Sequence, residues 1–151
     1  MLPDLEYAAL RFETFADDVL RPVVTPMVAP LEITVAQFED RPTHDQIRAL
    51  SEDEFSEVQT GWRWGPVWST AWFRLRGNLP ASMAGRSVHL RFDAGTEALL
   101  WRDGAPFHGF DFNRDRAPLF ESAEGGDSID LLVEAACNMP LGISTFWWDH
   151  P

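Results

Sequence analysis

The sequence predicts a mainly β protein: an antiparallel two-sheet sandwich preceded by one N-terminal helix. Three observations predict it. Apolar residues alternate with period two in "RSVHLRFDAG" and "DSIDLLVEAAC". From residue 31 onward, Gly, Pro and Asp punctuate the chain roughly every ten residues, a spacing suited to short strands joined by tight turns. Helical periodicity is confined to the segment before that point.

Residues 4–20 read as the helix. Leu5, Ala9, Phe12, Ala16 and Val19 recur at spacings of three and four, with Asp4 as the expected N-cap and Pro22 as the expected stop. "RPVVTPMVAP" carries three prolines in ten residues and reads as an extended connector. The domain plan is therefore residues 1–30 for helix and connector, and 31–151 for the sandwich. In "LEITVAQF", Leu31, Ile33 and Val35 alternate with Glu32, Thr34 and Ala36, as in a half-buried strand. Residues 40–60 are polar and acidic and read mostly as loop, with a short helix open around 43–50.

The β pattern then takes over. "VWSTAWFRLRGNLP" reads as one long strand ended by Gly77 and Pro80. Val88, Leu90, Phe92 and Ala94 share one strand face, with His89, Arg91 and Asp93 on the other. "EALLWRDGAPFHG" reads as a hairpin with Asp103–Gly104 as a two-residue type I′ turn. "RAPLFES" is a short strand. Ile129, Leu131, Val133 and Ala135 mark another, and "GISTFWWDH" is a candidate closing strand.

The bulk properties exclude several function classes. A chain of 151 residues with 45% hydrophobic and 24% charged residues has the length and composition of a single globular core. Its net charge of −12 argues against nucleic acid and anionic membranes as partners. All twelve basic residues are Arg, which carries no local message. A single cysteine, Cys137, rules out an internal disulfide framework and fits a reducing compartment. The acidic N-terminus lacks the apolar run of a signal peptide, so the expected localisation is cytoplasmic.

Chemistry-bearing residues are few. Four of the seven tryptophans, Trp62, Trp64, Trp68 and Trp72, fall within eleven residues. They have two readings: a platform stacking on sugar rings, or sheet packing, with Trp68 and Trp72 on one strand face and Trp62 and Trp64 over a sheet end. Asp93, Glu97, Asp103, Asp111, Glu121 and Glu134 are candidate glycosidase carboxylates, but among 24 acids chance pairing is certain, and solvated surface charge is the plainer account. His44, His89, His108 and His150 are scattered without metal-ligand spacing, so no metal site is expected in this chain. Cys137 is expected to be buried and inert. There is no nucleophile elbow, phosphate loop or dinucleotide fingerprint.

The order of landmarks carries more. "WRWGPVWSTAWFRLRGNLP", "GRSVHLRFDAGTEALLWRDGAPFHGFD" and "LLVEAACNMPLG" together resemble the domain preceding the catalytic barrel in the cytosolic-type α-mannosidases of glycoside hydrolase family 38. The family run Trp-Gly-x-x-Trp-Ser-x-x-Trp-Phe-Arg is matched by Trp64, Gly65, Trp68, Ser69, Trp72, Phe73 and Arg74. Gly95, Glu97 and Ala98 match its Gly-x-Glu-Ala, and Trp101, Asp103 and Gly104 its aromatic-x-Asp-Gly turn. Glu134, Ala135 and Asn138 match its Glu-Ala-x-x-Asn, with Gly142 following. A more distant likeness to the sugar-binding sandwich domains of β-galactosidase-type enzymes supports a galactose-binding-like jelly roll.

The resemblance implies a non-catalytic accessory domain. It would dock on a catalytic domain of the same polypeptide and help frame a cleft for mannose-containing carbohydrate. The family's Gly-His-x-His-x-Asp segment, which supplies zinc ligands, and its later Asp nucleophile belong to a barrel with no match here, so no catalytic or zinc residue is assigned to this chain and zinc is expected in the catalytic domain. An autonomous carbohydrate-binding module and a structural or homo-oligomerising domain remain the alternatives. The candidates for sugar binding or docking are Trp62, Trp64, Trp68, Glu97, Trp101, Phe107, Phe110, Phe112, Trp147 and Trp148. Phe107, Phe110 and Phe112, with Phe146, Trp147 and Trp148, are expected to form a docking patch with some rings exposed, rimmed by Asp111, Arg114, Asp115 and Arg116.

Overall fold

The structure is a computed structural model that describes residues 3–24 and 27–138. The chain divides into two units, residues 1–30 and 31–151. The first contains a helix in three parts: α1 (Pro3–Phe15), a π-helical segment Ala16–Leu20, and α2 (Arg21–Val24). Two expectations are corrected. The helix starts at Pro3, so Asp4 lies inside the first turn rather than capping it; proline suits that first position, where its missing N–H is not needed. Nor does Pro22 stop the helix. The Arg21 N–H bonds to the Ala16 carbonyl, a wider i→i+5 turn just before the ring, and such a bulge accommodates a proline that cannot donate.

The second unit holds eight strands: β1 (Glu32–Phe38), β2 (Ser56–Glu57), β3 (Thr70–Asn78), β4 (Val88–Arg91), β5 (Glu97–Arg102), β6 (Ala105–Phe110), β7 (Arg116–Phe120) and β8 (Ser128–Ala136). Six form one sheet in the order β2-β1-β3-β8-β5-β6, and β4 pairs with β7 in a second. All pairings are antiparallel. The predicted two-sheet sandwich with one N-terminal helical region is the fold observed.

Register explains the core. Val35 faces Phe73, Phe73 faces Val133, and Val133 faces Leu100, so one row of apolar side chains crosses four strands. That face packs on the smaller sheet through ring contacts of Phe92 with Phe73 at 5.3 Å and with Phe110 at 5.5 Å. The predicted alternation holds in both sheets, with Leu90 and Phe92 buried on one side and Ile129, Leu131, Val133 and Ala135 on the other. The β5–β6 hairpin turns through Asp103 at φ 52° and Gly104 at φ 79°, the two positive values of a type I′ turn.

The opposite face of the large sheet is covered too, which the sequence reading missed. Residues 40–60, expected mostly as loop with a short helix open around 43–50, form that helix as α3 (His44–Arg48), and a 3-10 turn, Glu52–Glu54, that was not expected. Ile47 and Phe55 from this segment bury against Ala36 and Trp72. Ala36 is therefore buried rather than on a solvent face, and β1 is covered on both sides. Gly77 does not end its strand. It pairs with Ile129 within β3, and a Cβ there would come within 2.7 Å of the Leu31 side chain, so glycine permits that close approach.

Candidate functional site

The tryptophan-rich segment runs into β3 and splits by role. Trp72 lies in β3, 0% exposed, tilted 5.8 Å from Trp101 on the covered face of the large sheet. Trp64 is half-buried; its ring meets Phe73 edge-on at 6.0 Å and its indole N–H donates to the Ala94 carbonyl at 3.0 Å. Trp62 also meets Phe73 edge-on, at 6.2 Å, and remains partly exposed. Both rings pack on Phe73, within β3 rather than at its end.

Trp68 departs from the packing reading. It precedes β3, which starts at Thr70, and its φ is +76°. A positive φ breaks extended backbone, so the even-number parity with Trp72 does not carry back to it. Its ring is 68% exposed, and its neighbour Val67 is exposed as well. The loop is nonetheless pinned. The Trp68 N–H donates to the Cys137 carbonyl at 2.6 Å, and the Cys137 N–H returns to the Ser69 carbonyl at 2.9 Å. The Ser69 N–H and hydroxyl both donate to the Pro66 carbonyl, at 3.0 and 2.6 Å, and the Gln37 amide donates to the Gly65 carbonyl. A strained φ persists where surrounding bonds over-determine it.

The other candidates scatter. Glu97 accepts from the Asn138 amide at 2.7 Å, a contact that ties the start of β5 to the end of β8. The Trp101 indole N–H donates to Glu134 at 3.3 Å, and its ring stacks on His44 at 4.6 Å. Trp101 is thus packing rather than a free platform, and Glu134 is engaged with it. Phe110 is buried in the sandwich, correcting its place in the expected patch. Phe107 is exposed beneath the Arg102 guanidinium, 5.3 Å from its ring centre, and Phe112 is 60% exposed. Phe146, Trp147, Trp148 and His150, with the candidate closing strand, lie outside the described residues.

Of the remaining candidate carboxylates, Asp93, Asp103 and Asp111 sit in turns and local pairs, and Glu121 is exposed. Asp93 accepts from the Gly95 N–H at 2.7 Å within its turn. The Arg114 guanidinium, 2.6 Å away, holds the Asp111 carboxyl below its ordinary value. Asp103 is in the hairpin turn. A shallow recess lined by Glu32, Arg76, Asn78, Ser128 and Asp130 sits at the far end of β3 from the tryptophan loop. Its Arg76 and Asp130 are spent on an ion-pair network: Arg74 bonds Asp130 at 2.8 Å and Glu52 at 2.9 Å, and Arg76 bonds Glu52 at 2.6 Å. Cys137 is half-buried rather than buried, and desolvation pushes its thiol upward, away from reactivity.

Sequence reasoning missed His44, which is buried between Trp72 and Trp101. A signal for its helix was present. Thr43 with Gln46 and Ser51 with Glu54 are both capping boxes, and each starts an element in the segment read as loop. The zinc implied by the family resemblance finds no fit among the described residues, where no three His, Cys, Asp or Glu side chains converge. His44 is stacked on an indole, His89 lies 3.3 Å from the Ser87 hydroxyl, and His108 meets Phe110 edge-on. No described helix is long and apolar enough to cross a membrane.

Comparison with known proteins places this geometry. Residues 28–150 match the family model described as alpha-mannosidase, jelly roll domain. The chain is similar to alpha-mannosidase 2C1 of Mus musculus, 38% identical over 95 residues, and to alpha-mannosidase 2C1 of Homo sapiens, 36% identical over 93. It is also similar to alpha-mannosidase G of Dictyostelium discoideum, 24% identical over 95 residues. These alignments cover 59–60% of this chain but only 9% of each relative. The family model spans every strand of both sheets, and the chain belongs to the alpha-mannosidase jelly roll domain family.

Proposed function

We propose that this chain acts as the N-terminal accessory domain of an α-mannosidase, seated against the catalytic part of the same polypeptide and helping to frame its mannoside cleft. The observation that carries the reading is the family match across residues 28–150, which takes in both sheets and the tryptophan loop. Relatives named as α-mannosidases are about tenfold longer than the aligned stretch, leaving ample chain for a catalytic part. Two features of the surface support a seated domain: exposed rings at Trp68, Phe107 and Phe112, and carboxylates committed to turns, ion pairs and packing. In this reading, catalytic acids and zinc ligands are supplied downstream.

The test is to read the gene beyond residue 151 and assay the full-length protein on p-nitrophenyl α-mannoside. The expected result is an in-frame Gly-His-x-His-x-Asp segment and mannoside hydrolysis that weakens when residues 31–138 are deleted. A reading frame without that segment, or a full-length protein inert toward α-mannosides, contradicts the proposal.

A further inference from the structure

We infer that Trp68 is the apolar anchor by which this jelly roll seats on the polypeptide that follows residue 138. The inference rests on the accessory-domain reading above and adds the contact surface. Holding a bulky L-residue at φ +76° costs free energy, and here five hydrogen bonds hold it so that its ring points outward, 68% exposed. Packing among the described residues does not explain the strain, because Trp68 is 68% exposed. A partner does.

The surroundings identify the class of partner. From Trp64 to Phe73 the chain carries no charge, although 24% of its residues are charged. Interface centres are depleted of charge, and tryptophan is enriched among their dominant contacts. Stacking on a sugar ring needs side-chain donors and acceptors beside the indole. Gly65, Pro66 and Val67 supply none, and the Ser69 hydroxyl is spent on the Pro66 carbonyl. The loop therefore suits apolar polypeptide better than carbohydrate.

Position identifies the occupant. Cys137 is hydrogen-bonded on both sides of Trp68, to its N–H and to the carbonyl of Ser69. The last described residue, Asn138, thus lies next to the backbone that pins Trp68. With the aligned stretch covering 9% of the relatives, the downstream chain is the partner that reaches this surface at the highest effective concentration.

The experiment is hydroxyl-radical labelling of the intact full-length protein, read residue by residue by mass spectrometry. Trp68 is expected to label about tenfold more slowly than in the same protein unfolded in urea, as an exposed ring does on entering a desolvated interface centre. Trp68→Ala is expected to speed proteolysis of the junction after residue 138 severalfold while Trp64 stays protected. Labelling of Trp68 close to its unfolded rate overturns the inference. So does protection that appears only when mannose is added, which would assign the ring to sugar. If the full-length protein hydrolyses α-mannosides while Trp68 stays open, this inference fails and the accessory-domain reading stands. If no catalytic part follows, both fail.

Discussion

Trp68 and Trp72 stand four residues apart and have opposite fates. One is 68% exposed on strained backbone; the other is fully buried in a strand. Their substitutions should separate accordingly in urea unfolding of the 151-residue chain. Trp72→Ala leaves a cavity beneath Ile47 and Trp101 and should cost about 3–5 kcal/mol. Trp68→Gly removes little packing. It relieves about 1–2 kcal/mol of left-handed strain and adds about 0.5–1 kcal/mol of unfolded-state entropy, so stability should hold or rise slightly. A loss at position 68 as large as that at position 72 would mean the ring is structural. Gly104 gives a complementary case. A methyl there would meet only His44 Cε1, at 3.9 Å, so the cost of Gly104→Ala comes from its φ of 79°. The change should destabilise by about 1 kcal/mol or somewhat more, and an unchanged urea midpoint would contradict the type I′ assignment.

At the scale of elements, the segment 43–57 ties itself to the large sheet by two buried side chains and by a charged contact between them. Ile47 and Phe55 pack on Trp72, while Glu52 joins Arg74, Arg76 and Asp130. The Arg74 guanidinium holds Asp130 below its ordinary value of 3.8, and hydrogen bonding from Arg76 does the same for Glu52. Groups with lowered folded values stabilise above the unfolded value and lose that contribution as pH falls through the folded one. Stability should therefore decline between about pH 5 and pH 2, and Asp130→Asn should flatten that decline. An acid limb as steep in Asp130→Asn as in the parent would remove the network from the account.

What was legible in the sequence follows from the same physics. The strands β4 and β8 and the Asp103–Gly104 hairpin were readable because alternation and turn chemistry are local. The helix running through Pro22 was not, because a π-turn is set by backbone spacing rather than residue type. The cover over Trp72 was hidden because residues 40–60 are polar by composition, and only two capping boxes mark the elements within. The exposure of Trp68 was hidden because one positive φ cancels the parity argument. Trp68 was hardest to read for the same reason: its identity was plain, but its direction depends on hydrogen bonds to Cys137, about seventy residues away in sequence.

At the scale of the whole molecule, the jelly roll packs a six-stranded sheet on a two-stranded one and leaves Trp68 and Phe112 exposed on loops and Phe107 exposed on β6. Rigid scaffolds with contacts on loops suit docking and recognition. In the proposed function this domain serves catalysis by placement, with chemistry supplied elsewhere in the polypeptide. The most direct test is the hydrolysis of p-nitrophenyl α-mannoside by the purified 151-residue chain, with and without added zinc. No turnover above buffer is expected in either condition. Zinc-dependent turnover that disappears when Glu97, Glu134 or another acid of this chain is changed to its amide would contradict the proposed function.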